Sequence, residues 1–281
     1  NKFAMPPKII TLLTDFGSKD NYLAAVNAVI LTINPNVIFV DITHEITPQN
    51  LWEAAFQLGT AAHHFPAGTI HLAIVDPGVG TSRRPLLLQT PHGTFIGPDN
   101  GIFTIALNKG RFYSQEDSSS NTAHTQTVPN EYHAYQLTNL KYWRHPIRNT
   151  FHGRDIFGPV AGHLSAGVPV KALGVKVNSI RSLRLPNLIR TDHIIVGEVI
   201  HVDQFGNLIT NIPEEDLLHK NLLIKIGQHT IPHINHTYAD QKGIQAMIGS
   251  YGLLEIAMYS DSAEQVLGLS TNSQVEVKFN K

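Results

Sequence analysis

Ile9-Ile10-Thr11-Leu12-Leu13-Thr14-Asp15-Phe16-Gly17 opens the part of the chain that decides the fold. Its aliphatic and β-branched run predicts a buried strand that stops at Asp15-Phe16-Gly17. Asn21 to Ile33 then reads as a helix, broken by Asn34-Pro35-Asn36. Val37 to Ile42 is a second strand. Asn50 to His64 is a second helix, rich in Ala, Trp and Phe. After the turn Pro66-Ala67-Gly68, Thr69 to Val75 is a third strand. Strand and helix in alternation predict an α/β domain with a largely parallel central sheet. Leu86 to Gln89 and Thr94 to Ile96, on either side of Pro91-His92-Gly93, predict a hairpin.

Downstream, residues 114–127 are almost wholly polar and predict a mobile surface insertion. Gly153 to Ala166 returns to helical spacing. Arg181 to Asp192, with Pro186-Asn187 inside it, predicts a linker. Beyond it the pattern changes to short β runs between turns: Ile194–Val202, Leu208–Asn211, Leu222–Ile226, Leu253–Met258 and Gln274–Phe279. These predict a small all-β, barrel-like domain. The expected domains are 1–185 (α/β) and 193–281 (β-barrel).

The 281 residues carry 21 Lys plus Arg against 22 Asp plus Glu, a formal net charge of −1. A protein that neutralises nucleic-acid phosphates has a basic surplus, so nucleic acid is not the expected partner. Charged residues make up only 15%, which leaves much of the polar work to amides, hydroxyls and 16 histidines. Cysteine is absent, which removes disulfides, thiolate nucleophiles and thiolate metal sites. Asn1 to Pro6 does not have the pattern of a signal peptide, and Met5 is a candidate natural start. No apolar run reaches the ~20 residues that span a bilayer. The expectation is a cytoplasmic protein with no membrane partner.

Ligands of α/β sheets bind at the carboxyl ends of parallel strands. Three predicted strands run into aspartate there: Asp15, Asp41 and Asp76. Each can hold ribose hydroxyls, bind a metal or move a proton; each can equally cap the following turn. The continuations Asp15-Phe16-Gly17-Ser18-Lys19-Asp20 and Asp76-Pro77-Gly78-Val79-Gly80-Thr81 allow close backbone approach to a ligand. Neither is a Walker or Rossmann loop. His152 stands at the mouth of a helix, as a cap, core or catalytic group. Asp155 suits the helix dipole. Asp203-Gln204-Phe205-Gly206-Asn207 makes a tight turn that also offers a carboxylate, an aromatic face and an amide.

The many histidines invite a metal reading, but no HExxH occurs. His63 and His64 are adjacent, so on a helix they diverge by about 100°. His229, His233 and His236 fall in a broken β loop without a carboxylate partner. No metal is expected.

Six motifs occur in order: Thr14–Gly17, Val75–Gly80, Gly97-Pro98-Asp99-Asn100-Gly101, Thr150–Phe157, Asp203–Asn211 and Leu254–Ala257. Together they resemble the S-adenosyl-L-methionine hydroxide adenosyltransferases, hydrolase relatives of the fluorinase and chlorinase enzymes. The resemblance covers about residue 8 to 281. It implies an N-terminal α/β domain, a C-terminal β-barrel domain and a homotrimer with active sites between subunits. The implied reaction is attack on ribose C5′ of S-adenosyl-L-methionine, giving adenosine and methionine without a cofactor. The hydrolase branch is marked by an Asp–Arg–His set that the halogenases lack. It matches Asp76, Arg83 (with Arg84 the adjacent alternative) and His152, so hydroxide is the implied nucleophile. Either Asp76 or His152 is left to take the water's proton.

By the same matching, Asp15 holds ribose hydroxyls, and Asp20 and Asp203 sit near the methionine ammonium. Phe205 and Asn207 address adenine, and Ser250, Tyr251 and Glu255 complete the C-domain side. The halogenases carry arginine where Tyr251 stands, which leaves the methionine carboxylate to Ser250 or to backbone N–H groups. The competing readings are a halogenase of the same family, a non-catalytic S-adenosyl-L-methionine or nucleoside sensor, and a metal phosphoesterase built on the strand-end aspartates. Chromatography of the products separates them.

Overall fold

The computed structural model describes residues 7–114, 124–217 and 221–279. The described residues group into two units. The first takes the chain up to Gly110 and the stretch that ends at Leu183. The second takes Arg111–Ser114 and the chain from Arg184 onward.

The first unit contains β1 (Lys8–Thr14), α1 (Tyr22–Ile33), β2 (Val37–Thr43), α2 (Leu51–Ala62), β3 (Ile70–Ile74), β4 (Pro85–Thr90) and β5 (Gly93–Pro98). It continues with α3 (Thr104–Leu107), β6 (His124–Thr127), β7 (His133–Leu137), α4 (Gly158–Ser165), α5 (Val170–Leu173), β8 (Gly174–Val177) and β9 (Ser179–Ser182). Its main sheet has the order β2-β1-β3-β5-β4-β7-β8. The pairs β1/β2, β1/β3 and β3/β5 are parallel, and the pairs β5/β4, β4/β7 and β7/β8 are antiparallel. The α/β reading and the hairpin of β4 with β5 are therefore what the chain forms.

Side-chain alternation along the strands supplies both faces of this sheet. Ile10, Leu12, Leu72, Ile74, Leu87 and Ile96 form one apolar layer with Val26 and Ile30 of α1 and Val160 of α4. Leu13, Ala73, Val75, Leu86, Leu88 and Phe95 form the other with Ala54 and Leu58 of α2 and Phe103. Each fully buried Leu or Ile contributes roughly 1.5–3 kcal/mol, so covering both faces stabilises the parallel arrangement. Asn50 ends the loop before α2, and its side chain accepts the Glu53 N–H. That bond satisfies one of the helix's unpaired donors.

The second unit contains β10 (Ile189–Arg190), β11 (Ile194–Val202), β12 (Leu208–Pro213), β13 (Leu222–Ile226), β14 (His229–Ile231), β15 (Ile244–Ile248), β16 (Leu253–Met258), α6 (Ala263–Leu267) and β17 (Gln274–Phe279). An antiparallel path β14-β13-β17-β11-β12-β16-β15 curls into a nearly closed barrel around Leu208, Ile224, Leu254, Ile256, Val275 and Val277. This is the expected small all-β architecture.

Several local expectations need correction. Arg181–Asp192 is not all linker: Arg181 and Ser182 close β9, whose alternate residues Ile180 and Ser182 are buried, and Ile189–Arg190 pairs with β11. In the expected 114–127 insertion, residues 115–123 lie outside the described residues. Residues 124–127 form β6, antiparallel to β9. Asp41 lies inside β2 rather than at its end, because a bulge opposite Leu12 and Leu13 carries that strand on to Thr43. His63 and His64 do not diverge, because α2 has ended and their rings lie 3.9 Å apart. Among the described residues, no helix is long and apolar enough to cross a membrane.

One polar pair spans the core of the first unit. Thr11 and His71 are cross-strand partners on β1 and β3, and Thr11 Oγ1 lies 2.8 Å from His71 Nδ1. The imidazole stacks on Phe95 of β5 at 4.7 Å. Burial pushes the His71 pKa from 6.5 down to about 4. Between those values the unfolded chain takes up a proton that the folded chain refuses. Stability therefore falls as pH drops through that window, by about 3 kcal/mol in all. Urea unfolding at pH 7 and pH 4.5 checks this: the wild type should lose markedly more than His71→Gln, and equal losses would contradict it.

Candidate active site

β1 and β3 are adjacent and parallel, with Thr14 opposite Ile74, so Asp15 and Asp76 leave the sheet side by side at its carboxyl edge. The loop after β3 turns through Asp76–Gly80, with the Val79 N–H on the Asp76 carbonyl at 3.2 Å and the Thr81 N–H on the Gly78 carbonyl at 3.1 Å. Gly80 has φ +78°, and a Cβ there would come 2.5 Å from the Asn149 carbonyl oxygen. Only glycine lets this loop press against the backbone three residues before His152.

The result is a chain of three side chains. Arg83 Nε donates to Asp76 Oδ1 at 2.8 Å, and Arg83 Nη2 donates to Asp76 Oδ2. The same Nη2 lies 2.8 Å from His152 Nδ1. Asp76 and Arg83 are more than nine-tenths buried, and the guanidinium carbon lies 5.1 Å from the centroid of the Phe157 ring. A guanidinium has no acceptor. His152 Nδ1 must therefore accept, which leaves the ring neutral with its proton on Nε2; the tautomer is assigned from this network. The His152 pKa is lowered, first by burial and then by the Arg83 charge, with Asp76 and Asp155 pulling the other way. Arg83 Nη1 is buried and, among the described residues, has no hydrogen-bond partner. A buried charged donor of that kind is costly unless something accepts from it.

Arg84 does different work. Its Nε donates to Asp99 Oδ2 at 2.7 Å and its Nη2 to the Ser179 carbonyl at 2.9 Å. Asp99 Oδ1 accepts the Arg181 N–H at 2.7 Å. Next to it, Asn100 Nδ2 donates to the Val75 carbonyl at 2.8 Å. Gly97–Gly101 thus clamps both ends of the Asp76–Arg83 loop, a role that the sequence did not disclose.

Around this cluster, Asp15 Oδ2 accepts the Gln49 N–H at 2.9 Å. Asp20 is exposed in the loop before α1. Asp41 is exposed, with Oδ1 3.2 Å from His44 Nε2. Sequence reading missed an aromatic group: Phe16, Tyr22 and Phe151 have ring centroids 5.1–5.9 Å apart. It joins the residue after Asp15 to the residue before His152.

In the second unit, Asp203 first closes its own turn. Oδ1 accepts from the Phe205 and Asn207 N–H groups and Oδ2 from Asn207 Nδ2, all at 2.9 Å. Phe205 is thereby pushed outward, 78% exposed. Ser250 is exposed in the turn that precedes β16. Glu255 is buried, and a Cβ on Gly249 would lie 2.3 Å from its Oε2. Tyr238, which sequence reading missed, donates its hydroxyl to Glu255 Oε1 at 2.6 Å. The Glu255 pKa is raised by burial and by the Asp203 charge, against the Tyr238 bond. The Tyr251 pKa is raised by burial, then by Asp203 and Glu255. Among the described residues, no three His, Asp or Glu side chains are grouped to hold a metal ion.

The SAM hydroxide adenosyltransferase N-terminal domain family matches residues 10–174, and the corresponding C-terminal domain family matches residues 197–276. A Thermus thermophilus protein named (R)-S-adenosyl-L-methionine hydrolase is 35% identical, over 95% of this chain and 98% of its own. A Methanocaldococcus jannaschii protein of the same name is 28% identical, over 96% of each. A Nocardia brasiliensis fluorinase is 26% identical, over 96% of each. Among solved structures, a conserved Thermotoga maritima protein superposes with a TM-score of 0.82 at 31% identity, over 96% of this chain and 99% of that one.

The division of labour between the two arginines is measurable. Arg84→Ala leaves the Asp99 carboxylate, 1% exposed, without its guanidinium. It should cost about 3 kcal/mol of unfolding free energy. Adding Asp99→Asn should recover part of that loss in a double-mutant cycle. A single variant as stable as the wild type would show that the pair is not a clamp.

Proposed function

The chain belongs to the SAM hydroxide adenosyltransferase family, and on that premise we propose that it hydrolyses S-adenosyl-L-methionine to adenosine and L-methionine. The observation that carries this reading is the Arg83 guanidinium, held between Asp76 and His152 with a buried N–H face left over.

The sulfonium leaves as a neutral thioether, so the reaction needs no general acid. The oxygen of water forms a bond to ribose C5′, the C5′–S pair passes to sulfur, and one proton is released. The difficult element is the nucleophile, because neutral water is weak and must be oriented in line with the C5′–S bond. Arg83 Nη1 and His152 Nε2 supply N–H donors for an oxygen that is gaining hydroxide character. Asp76 keeps lone pairs beyond those that Arg83 occupies and takes the proton. His152 Nδ1 is already engaged by Arg83, so His152 acts as donor and orienter rather than as base. This assigns roles that the sequence left open between Asp76 and His152.

Asp15, at the neighbouring strand end, is assigned to the ribose hydroxyls and Asp20 to the methionine ammonium. Asp203, Phe205, Asn207, Ser250, Tyr251 and Glu255 are assigned to the substrate from a neighbouring copy in a homotrimer, which sedimentation velocity tests.

Overnight incubation with S-adenosyl-L-methionine, both sulfonium epimers offered, should give adenosine and methionine in equal amounts. Arg83→Ala and His152→Ala should each lower kcat by about 100-fold or more. Because burial and Arg83 lower the His152 pKa, the rate should hold below the usual histidine range and fall only at more acid pH. Unchanged ligand would leave a binding protein, and a 5′-halo product in halide would make it a halogenase. Full activity in both variants would remove the Asp76–Arg83–His152 assignment.

A further inference from the structure

Asp155 stands three residues after His152 and takes no part in the chemistry proposed above. It lies in a single wide turn, Gly153–Phe157, in which the Gly158 N–H reaches back five residues to the Gly153 carbonyl. The helix expected over Gly153–Ala166 therefore begins with this wider turn and becomes regular only at Gly158. Such wide turns are rare, occur mostly as single turns within helices, and are frequent at functional sites.

The carboxylate of Asp155 is completely buried. It accepts four N–H groups: Arg154 Nε at 2.7 Å, Arg154 Nη2 at 2.9 Å, Arg144 Nη1 at 3.1 Å and the Arg148 backbone N–H at 2.9 Å. The Asp155 backbone is held as well, its carbonyl by the Arg144 N–H and its own N–H by the Phe151 carbonyl. Burial alone raises the pKa of this carboxyl; its bonds to Arg154, Arg148 and Arg144 lower it by more, and the group stays ionised. An acid that only complements a helix dipole needs no burial and no guanidinium. This one ties segment 144–148 to the turn that carries His152.

We propose that Asp155 is a positioning residue: its arginine-held carboxylate fixes the wide turn, and through it the His152 ring against Arg83. The proposal deepens the hydrolase reading and uses that reaction for one of its two measurements. The charged groups that face His152 are Arg83 and Asp76 from the loop after β3, and Asp155 from its own turn.

Two effects of removing Asp155 have opposite signs. If Asp155 acted only by charge, its loss would lower the His152 pKa further and move the acid limb of kcat down. If it positions the ring, its loss frees His152 from Arg83 and from burial, and the limb moves up, towards the ordinary histidine range.

The test is Asp155→Asn, with Arg144→Gln as the milder variant because Arg144 is the half-exposed arm of the knot. In Asp155→Asn, kcat should fall about 100-fold, with KM changed by no more than about twofold. The acid limb should move to higher pH. Imidazole 15N spectra, with His152 assigned by its loss in His152→Gln, should show a fixed Nε2–H tautomer in the wild type. In the variant they should show a tautomer mixture. Arg144→Gln should shift both readouts in the same direction by less, and it carries the test if Asp155→Asn does not fold. An unmoved or lowered acid limb together with an unchanged His152 spectrum overturns the proposal. If the wild type releases no adenosine, the hydrolase reading fails, and the ring spectrum alone decides the positioning role.

Discussion

One guanidinium organises the first unit's chemistry. Arg83 divides its donors between a carboxylate on its own loop and an imidazole 69 residues away in sequence. Because arginine stays charged and cannot accept a hydrogen bond, it dictates the state of both neighbours. Asp76 is held in a two-pronged ion pair, and His152 is held neutral with one tautomer. A lysine at position 83 would supply the charge but not this planar fork. The imidazole would then be free to choose its own proton.

That arrangement survives only if the loops on either side are stiff. The 76–84 loop is fixed by the second arginine of the pair, Arg84, on the buried Asp99, and by Asn100 on the end of β3. The 144–157 segment is fixed by Arg144 and Arg154 on the buried Asp155. Both sides use the same physical device. A carboxylate taken out of water needs several charge-assisted donors, and their directions leave the backbone little freedom. The sheet supplies the remaining constraint. Parallel β1 and β3 deliver Asp15 and Asp76 to the same edge, because strands in register end together.

The sequence was most legible where the signal is local. The alternation from Ile9 to Val75, the hairpin on Pro91-His92-Gly93 and five C-terminal β runs each rest on patterns within about ten residues. The motifs brought out Asp76, Arg83 and His152, which the structure places in contact. What stayed hidden is long-range and polar. Asp99 meets the Arg181 N–H across 82 positions, and Tyr238 meets Glu255 across 17. No periodicity encodes such pairs. β7, β8 and β9 were missed because they are short and flanked by Pro, Gly and Asn, and pairing decides them more than propensity does. Motif spacing favoured Arg83 but left its neighbour Arg84 as an alternative, and adjacent residues on an extended segment point to opposite sides. Backbone direction assigns one to Asp76 and the other to Asp99.

Under the proposed mechanism, these hydrogen bonds distinguish water from halide as nucleophile. A halide arrives already anionic and brings no proton, so a site for it needs desolvation and a few neutral donors. A buried carboxylate near its path would repel it. Water makes the opposite demand: an acceptor for its proton and donors for the charge that grows on oxygen. In the proposed mechanism Asp76 is that acceptor, and Arg83 with the Nε2–H of His152 are those donors. Arg83 also neutralises Asp76 enough for it to reside in a nearly dry site. A neutral histidine adds a donor without adding a positive charge beside a sulfonium substrate. The lowered His152 pKa, which keeps the ring uncharged, is therefore consistent with the cationic substrate of the proposed reaction.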